Sequence, residues 1–370
     1  MSPDLLYQVA LPLIPGVAGV MSRALLGYCG SAEAVFSASK ERLTKVPGVG
    51  SLLSDKILSH RSAALHEAET ILKRVEKENV RILFYTSPDY PQRLKNVPDA
   101  PLLLYYKGNA DLNAAKVISI VGTRKSTEYG RAVTEQLVQA LVKHEVLVVS
   151  GLAYGIDIAA HRVALKAGLP TVGVMGTGID LIYPSVHKAE AQKMLSKGGL
   201  LTEFPFGTAP DAPRFPARNR IIAGLADCTI VVESTSKGGS LISADIAHGY
   251  DREVMAVPGP ITSPTSQGCN HLIKTLKAVP YTQPKDLEEL LNWDNALASP
   301  KISSEPQEDY AGFSEEERKV LRSLKEAGPL HIDVLSRHTQ LSMNQLSTVL
   351  LTLEFSSHVK SLPGKQFALV

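Results

Sequence analysis

The sequence predicts an α/β protein. An extended Rossmann-like, doubly wound and mainly parallel sheet is preceded by a small helical domain and followed by a winged helix. Three observations carry that prediction. From about residue 81 to 295, short β-branched or Leu-rich runs alternate with amphipathic helical stretches. Residues 1–80 lack such runs and read as short helices. Beyond a Pro-, Ser- and acid-rich stretch at 296–312, three helical patterns and a hairpin signal close the chain.

In the first domain, Val46-Pro-Gly-Val-Gly50 followed by the helical run Leu52–Ser59 has the form of a helix-hairpin-helix or SAM-like element, with a weaker echo at Ile14–Gly19. Its glycines permit a tight hairpin and leave the next helix's first amides open to a phosphate. No lysine or arginine lies inside the hairpin, so an ordinary turn is the favoured reading over nucleic-acid contact. The strand-like runs of the second domain are Val117–Val121, Val146–Ser150, Thr171–Met175, Gly199–Thr202, Thr229–Glu233 and Val254–Pro258. Continuous apolar strands separated by helices such as Tyr129–Lys143 and Ile156–Ala167 indicate a parallel sheet covered on both faces. Ile82–Tyr85 and Leu102–Tyr106 add two strands before the first βα unit. The stretch 296–312 has no apolar period and reads as a linker. Residues 313–370 then offer helices at Ser314–Glu326, Ile332–Arg337 and Ser342–Phe355, with a hairpin around Pro363-Gly364, which is a winged-helix pattern.

Composition narrows the function. A chain of 370 residues accommodates two or three domains, and a net charge of +2 places any polyanion binding in local patches. Cys29, Cys228 and Cys269 are far apart and fit a reducing cytoplasm as small core residues. The ten histidines show no H-x-x-x-H spacing, so no metal site is expected. The apolar stretch Val9–Met21 is interrupted by Pro12, Pro15, Gly16 and Gly19, which argues against a membrane span or signal peptide.

Four motifs carry chemistry. Val121-Gly-Thr-Arg124 closes the first strand of the βα series, where Gly122, Thr123 and Arg124 combine backbone amides, a hydroxyl and a cation suited to an oxyanion. It lacks the later glycines of a dinucleotide fingerprint. Ser150-Gly-Leu-Ala-Tyr-Gly-Ile-Asp157 brings Ser150 and Gly151 to the next junction, with Asp157 in the following helix. Arg214-Phe-Pro-Ala-Arg-Asn-Arg220 groups three arginines and Asn219 around Phe215, joining phosphate contacts to a stacking ring. One of those arginines is expected to serve structure, because the run enters an apolar helix starting near Asn219. Glu233-Ser-Thr-Ser-Lys-Gly-Gly-Ser240 places Lys237, Gly238, Gly239 and Ser240 at a helix start as an anion cradle, without the Walker order that nucleotide hydrolysis needs. All four are expected to converge on one edge of the sheet.

This set of motifs closely resembles the DNA-processing protein A family, also called DprA or Smf, over about residues 81–295, and the order of the flanking domains matches too. The resemblance implies a homodimer without enzymatic activity or cofactor. Such a protein binds incoming single-stranded DNA during natural transformation and loads the RecA recombinase onto it. It also implies that the motif residues above form the DNA site. Two other readings compete. Nucleotide phosphoribohydrolases of the lysine-decarboxylase-like family carry P-G-G-x-G-T-x-x-E, whereas Lys237-Gly-Gly-Ser-Leu-Ile-Ser-Ala-Asp245 keeps only the glycine pair and the acid. A protein-interaction adaptor is the other, because Ser342–Phe355 contains no lysine or arginine for a DNA groove.

Overall fold

The computed structural model describes residues 3–17, 19–293, 313–356, 358–362 and 366–369. The expected linker at 296–312 and the Pro363-Gly364 turn lie outside the described residues. The chain divides into two compact units, Met1–Asp294 and Asn295–Val370.

The first unit is organised by nine strands: β1 (Arg81–Phe84), β2 (Leu103–Gly108), β3 (Val117–Val121), β4 (Leu147–Ser150), β5 (Thr171–Val174), β6 (Gly199–Thr202), β7 (Cys228–Val231), β8 (Glu253–Ala256) and β9 (Val279–Pro280). They form one sheet in the order β1-β2-β6-β5-β4-β3-β7-β8-β9. β1 and β2 pair antiparallel at one edge, and the strands from β6 to β9 pair parallel. Side chains of β3 alternate between two separate cores, as a strand's period of two requires. Val117 and Val121 pack with Ile221, Ile222 and Ala244, while Ile118 and Ile120 pack with Leu137, Val138 and Ala160. Both faces are thus covered, and continuous apolar runs are the sequence's answer to that burial. Cys228 and Cys269 lie in these two cores and Cys29 in a third, among the N-terminal helices, all unpaired.

The chain winds outward from β3 in both directions, first to β4 and β5 and later to β7 and β8. The carboxyl ends of β3 and β7 therefore flank the topological switch point, where open α/β sheets leave a crevice between diverging loops. Two corrections concern helices. The arginine-rich segment is itself helical from Arg214 to Leu225, so the helix starts at Arg214 rather than near Asn219. The helix expected over Leu52–Ser59 runs from Ser51 to Lys77. Its buried face joins Ile14, Val17, Val46 and Val49 from the two glycine-containing hairpins, and the same core includes Phe84, Leu103 and Tyr105 of the sheet. The short strand β9 had no β-branched run to announce it.

The second unit has helices Glu315–Ala327, Ile332–Thr339 and Met343–Phe355, with a three-stranded sheet of β10 (Leu330–His331), β11 (Val359–Leu362) and β12 (Gln366–Leu369). Ser314 with Glu317 and Ser342 with Gln345 form capping boxes that start two of the helices. Leu346, Val349, Leu350 and Leu353 face its core with Val320 and Leu335, whereas Met343 is exposed. Among the described residues, no helix is long and apolar enough to cross a membrane.

Candidate nucleic-acid interface

At the switch point lies a cavity of about 230 Å³, and all four motifs reach its wall. Gly122, Thr123 and Arg124 come from the end of β3, and Asp157 from the helix after β4. Phe215, Arg218 and Asn219 come from the helix Arg214–Leu225, and Gly238, Gly239 and Ser240 from the helix after β7. The last three stand at the start of the helix Gly239–Gly249, whose N-terminus favours an anion, although the Leu241 N–H of that turn already donates to the Gly238 carbonyl at 3.1 Å.

The β3 loop is held from both sides. The Thr123 N–H donates to the Glu233 carbonyl at 2.8 Å, and the Ile156 N–H donates to the Thr123 carbonyl at 3.2 Å. The Thr123 amide is therefore occupied and does not serve an oxyanion. Gly122 is required by this packing, since a Cβ there would stand 2.5 Å from Ile156 Cγ1. Arg124 is exposed, with its guanidinium carbon 5.8 Å from the centre of the Phe215 ring. Lys125 and Lys237 are exposed as well; Lys237 stands beside the cavity wall at Gly238.

Four sequence-predicted residues, Ser150, Gly151, Arg218 and Arg220, have other work. Ser150 is fully buried, and its hydroxyl donates to the Ile120 carbonyl at 2.6 Å, tying β4 to β3. Arg218 is 4% exposed and donates to the carbonyls of Gly151, at 2.6 Å, and Val174. Burial pushes its pKa down to about 10, against the opposing pull of Asp157 and with help from the neighbouring Arg124 charge. The Asp157 carboxyl is pushed up by burial, opposed by Arg218, and accepts the Gly151 N–H at 3.1 Å. Gly151 admits no Cβ, which would lie 2.6 Å from Arg218 Nη1 and from Asp157 Oδ2. Arg220 turns away from the cavity, paired with Glu203 and donating to the Asp99 carbonyl at 2.9 Å. Two of the three arginines are thus internal fasteners, where one was expected. The physical reason is the helix itself, which turns positions 218 and 220 into the protein.

Asn219 and Phe215 are half-buried in the wall, and the Ser240 hydroxyl donates to Ser234 Oγ at 3.0 Å. Glu233, quoted within its motif but given no role, is a buried tether. It accepts from the Thr127 N–H at 2.9 Å and the Thr127 hydroxyl at 2.5 Å, fixing the residue that caps the helix Glu128–Leu141. A carboxylate at a strand's carboxyl end beside a loop of hydroxyl residues was the available signal. Tyr183, whose ring lies 5.5 Å from Phe215, arrives from the segment after β5 and left no local sequence mark. Asp245, the acid that a phosphoribohydrolase would need, is half-exposed and paired with Lys277 at 2.7 Å, away from the cavity lining.

The fold is that of a Rossmann-like protein with a loop-lined cavity at the sheet's switch point, and the chain also carries a winged-helix unit. Residues 81–292 match the family model for DNA recombination-mediator protein A, and residues 303–365 match the DprA winged helix domain. The chain belongs to this DprA/Smf family, whose members are recombination mediators rather than enzymes. It is 31% identical to protein Smf of a Synechocystis species across 98% of both chains. The X-ray structure of DNA processing protein A from Streptococcus pneumoniae superposes with a TM-score of 0.66 at 32% identity, covering 77% of this chain and 97% of that one. A structure describing the single-stranded DNA binding mode of DNA processing protein A from Helicobacter pylori aligns with a TM-score of 0.53 at 28% identity, over 58% and 96%.

Proposed function

We infer that this chain binds single-stranded DNA at the switch-point cavity during natural transformation and delivers it, as a homodimer, to the RecA recombinase. The cavity wall is the observation that carries the reading. Backbone amides of a helix N-terminus, the exposed cations Arg124 and Lys237 and the ring of Phe215 meet at one place, which suits a phosphate flanked by an unpaired base. The Helicobacter pylori relative's described binding mode supports the choice of single strands. No cofactor enters this reading, because strand binding and hand-over require only contacts.

The site residues proposed to meet DNA are Gly122, Arg124, Phe215, Asn219, Lys237, Gly238, Gly239 and Ser240. Ser150, Gly151, Arg218 and Arg220 support them from behind. Competition gel shifts with a single strand and the corresponding duplex test the reading. Single strands are expected to displace bound strand at least tenfold more effectively; equal or better competition by duplex would overturn it. Faster RecA filament assembly on DNA carried by this protein, with dimers seen by light scattering, checks the hand-over.

A further inference from the structure

Beyond Phe215, two exposed aromatic rings belong to segments that adjoin the cavity wall or touch Phe215. Tyr154 is 47% exposed and Tyr183 is 46% exposed. Tyr154 directly follows Ala153, a residue of the cavity wall, and its ring meets the edge of His187 at 5.1 Å and 68°. Tyr183 meets Phe215 at 5.5 Å and 35°. Both contacts come from one segment, Tyr183–His187, and His187 Nδ1 donates to the Leu152 carbonyl at 2.8 Å, joining that segment to the loop after β4. Phe215 is itself backed by Gly176, where a Cβ would lie 2.9 Å from the ring.

A single exposed tyrosine needs no explanation. Two on adjoining segments, Tyr183 touching Phe215 beside Arg124 and Tyr154 touching His187 of the Tyr183 segment, have the composition of a single-strand groove. We propose that Tyr183 and Tyr154 extend the Phe215 surface into a stacking rail for successive bases of a strand whose phosphates reach the cavity. The proposal rests on the single-strand reading above and adds where the bases go. Duplex DNA does not fit this rail, because its bases are already stacked on one another. The rail is sequence-tolerant, since every base presents a π-face.

The test measures affinity of the full chain for an oligothymidine and for an abasic oligonucleotide of equal length across a salt series. Tyr183→Ala and Tyr154→Ala are each expected to weaken oligothymidine binding about tenfold, with the salt slope unchanged because no charge is removed. Tyr183→Phe should retain affinity. The unmodified chain should bind the abasic strand more weakly than the double alanine variant binds oligothymidine, because the abasic strand also forgoes the Phe215 contact, and melting temperatures should agree among variants. Full binding by both alanine variants, or equal affinity for abasic and normal strands, overturns the rail alone. Failure of the unmodified chain to bind either strand overturns the rail and the single-strand reading together.

Discussion

Arg124 and Arg218 both border the same cavity, yet one stands in solvent and the other is locked to two carbonyls beneath it. Their substitutions should separate cleanly. Arg124→Ala and Lys237→Ala are each expected to lower the slope of log K against log salt by about 0.7 without changing stability, as lost contacts to single-strand phosphates do. Arg218→Ala should instead cost about 3–5 kcal/mol of folding stability, because it leaves Asp157 and two carbonyls without their buried partner. Urea denaturation and DNA titration of the three variants check this; a stable Arg218→Ala protein with a reduced salt slope would reverse the assignment. His161 adds a pH dependence. Its Nδ1 lies 2.7 Å from Thr171 Oγ1, whose hydroxyl donates to Val148, so the ring donates there and leaves Nε2 unpartnered. Burial, with the nearby His187 and Arg218 charges, holds its pKa at about 3. The unfolded chain takes up a proton near pH 6.5 that the folded one refuses, so stability is lost as pH falls from there towards 3, at about 1.4 kcal/mol per pH unit. His161→Asn should flatten that decline in denaturation series at pH 7, 6 and 5; an unchanged slope would contradict it. Residue types marked the loops that meet at the cavity, but which arginines were free depended on helical phase, and that was hidden until the helix was known to start at Arg214.

At the scale of elements, the strands of the sheet were legible because each is buried on both faces and therefore written as a continuous apolar run. The observed limits of β3, β5 and β6 fall within or on the predicted ones. β9 was not legible, since Val279 and Pro280 are exposed at the sheet edge and carry no such run. The winged-helix unit showed itself through capping pairs and helical spacing. Its helix Met343–Phe355 has no cation and exposes Leu351 and Phe355, the latter 83%. Such a surface offers nothing to a phosphate backbone. Deleting residues 313–370 should leave single-strand affinity within a few-fold, measured by fluorescence anisotropy. A hundredfold loss with the oligomeric state intact would give this unit a direct part in binding.

For the whole molecule, the organising fact is the switch point between β3 and β7. Sequence order separates Gly122 from Gly238 by more than a hundred residues, and the winding of the sheet brings them to one cavity. That convergence was foreseeable from the placement of the motifs after strands. The attachment of the N-terminal helices was not. Their core is shared with Phe84, Leu103 and Tyr105, and Arg74 pairs with Asp180 at 2.9 Å, contacts between distant segments that no local pattern reveals. We propose that exposed cations at this cavity neutralise the phosphates of a single strand. A salt titration of single-strand affinity tests it most directly. With Arg124 and Lys237 as the exposed cations that meet the strand, log K should fall against log salt with a slope of about −1.4, at roughly 0.7 per contact. A slope near zero would contradict the claim, as would an unchanged slope in the Arg124→Ala, Lys237→Ala double variant.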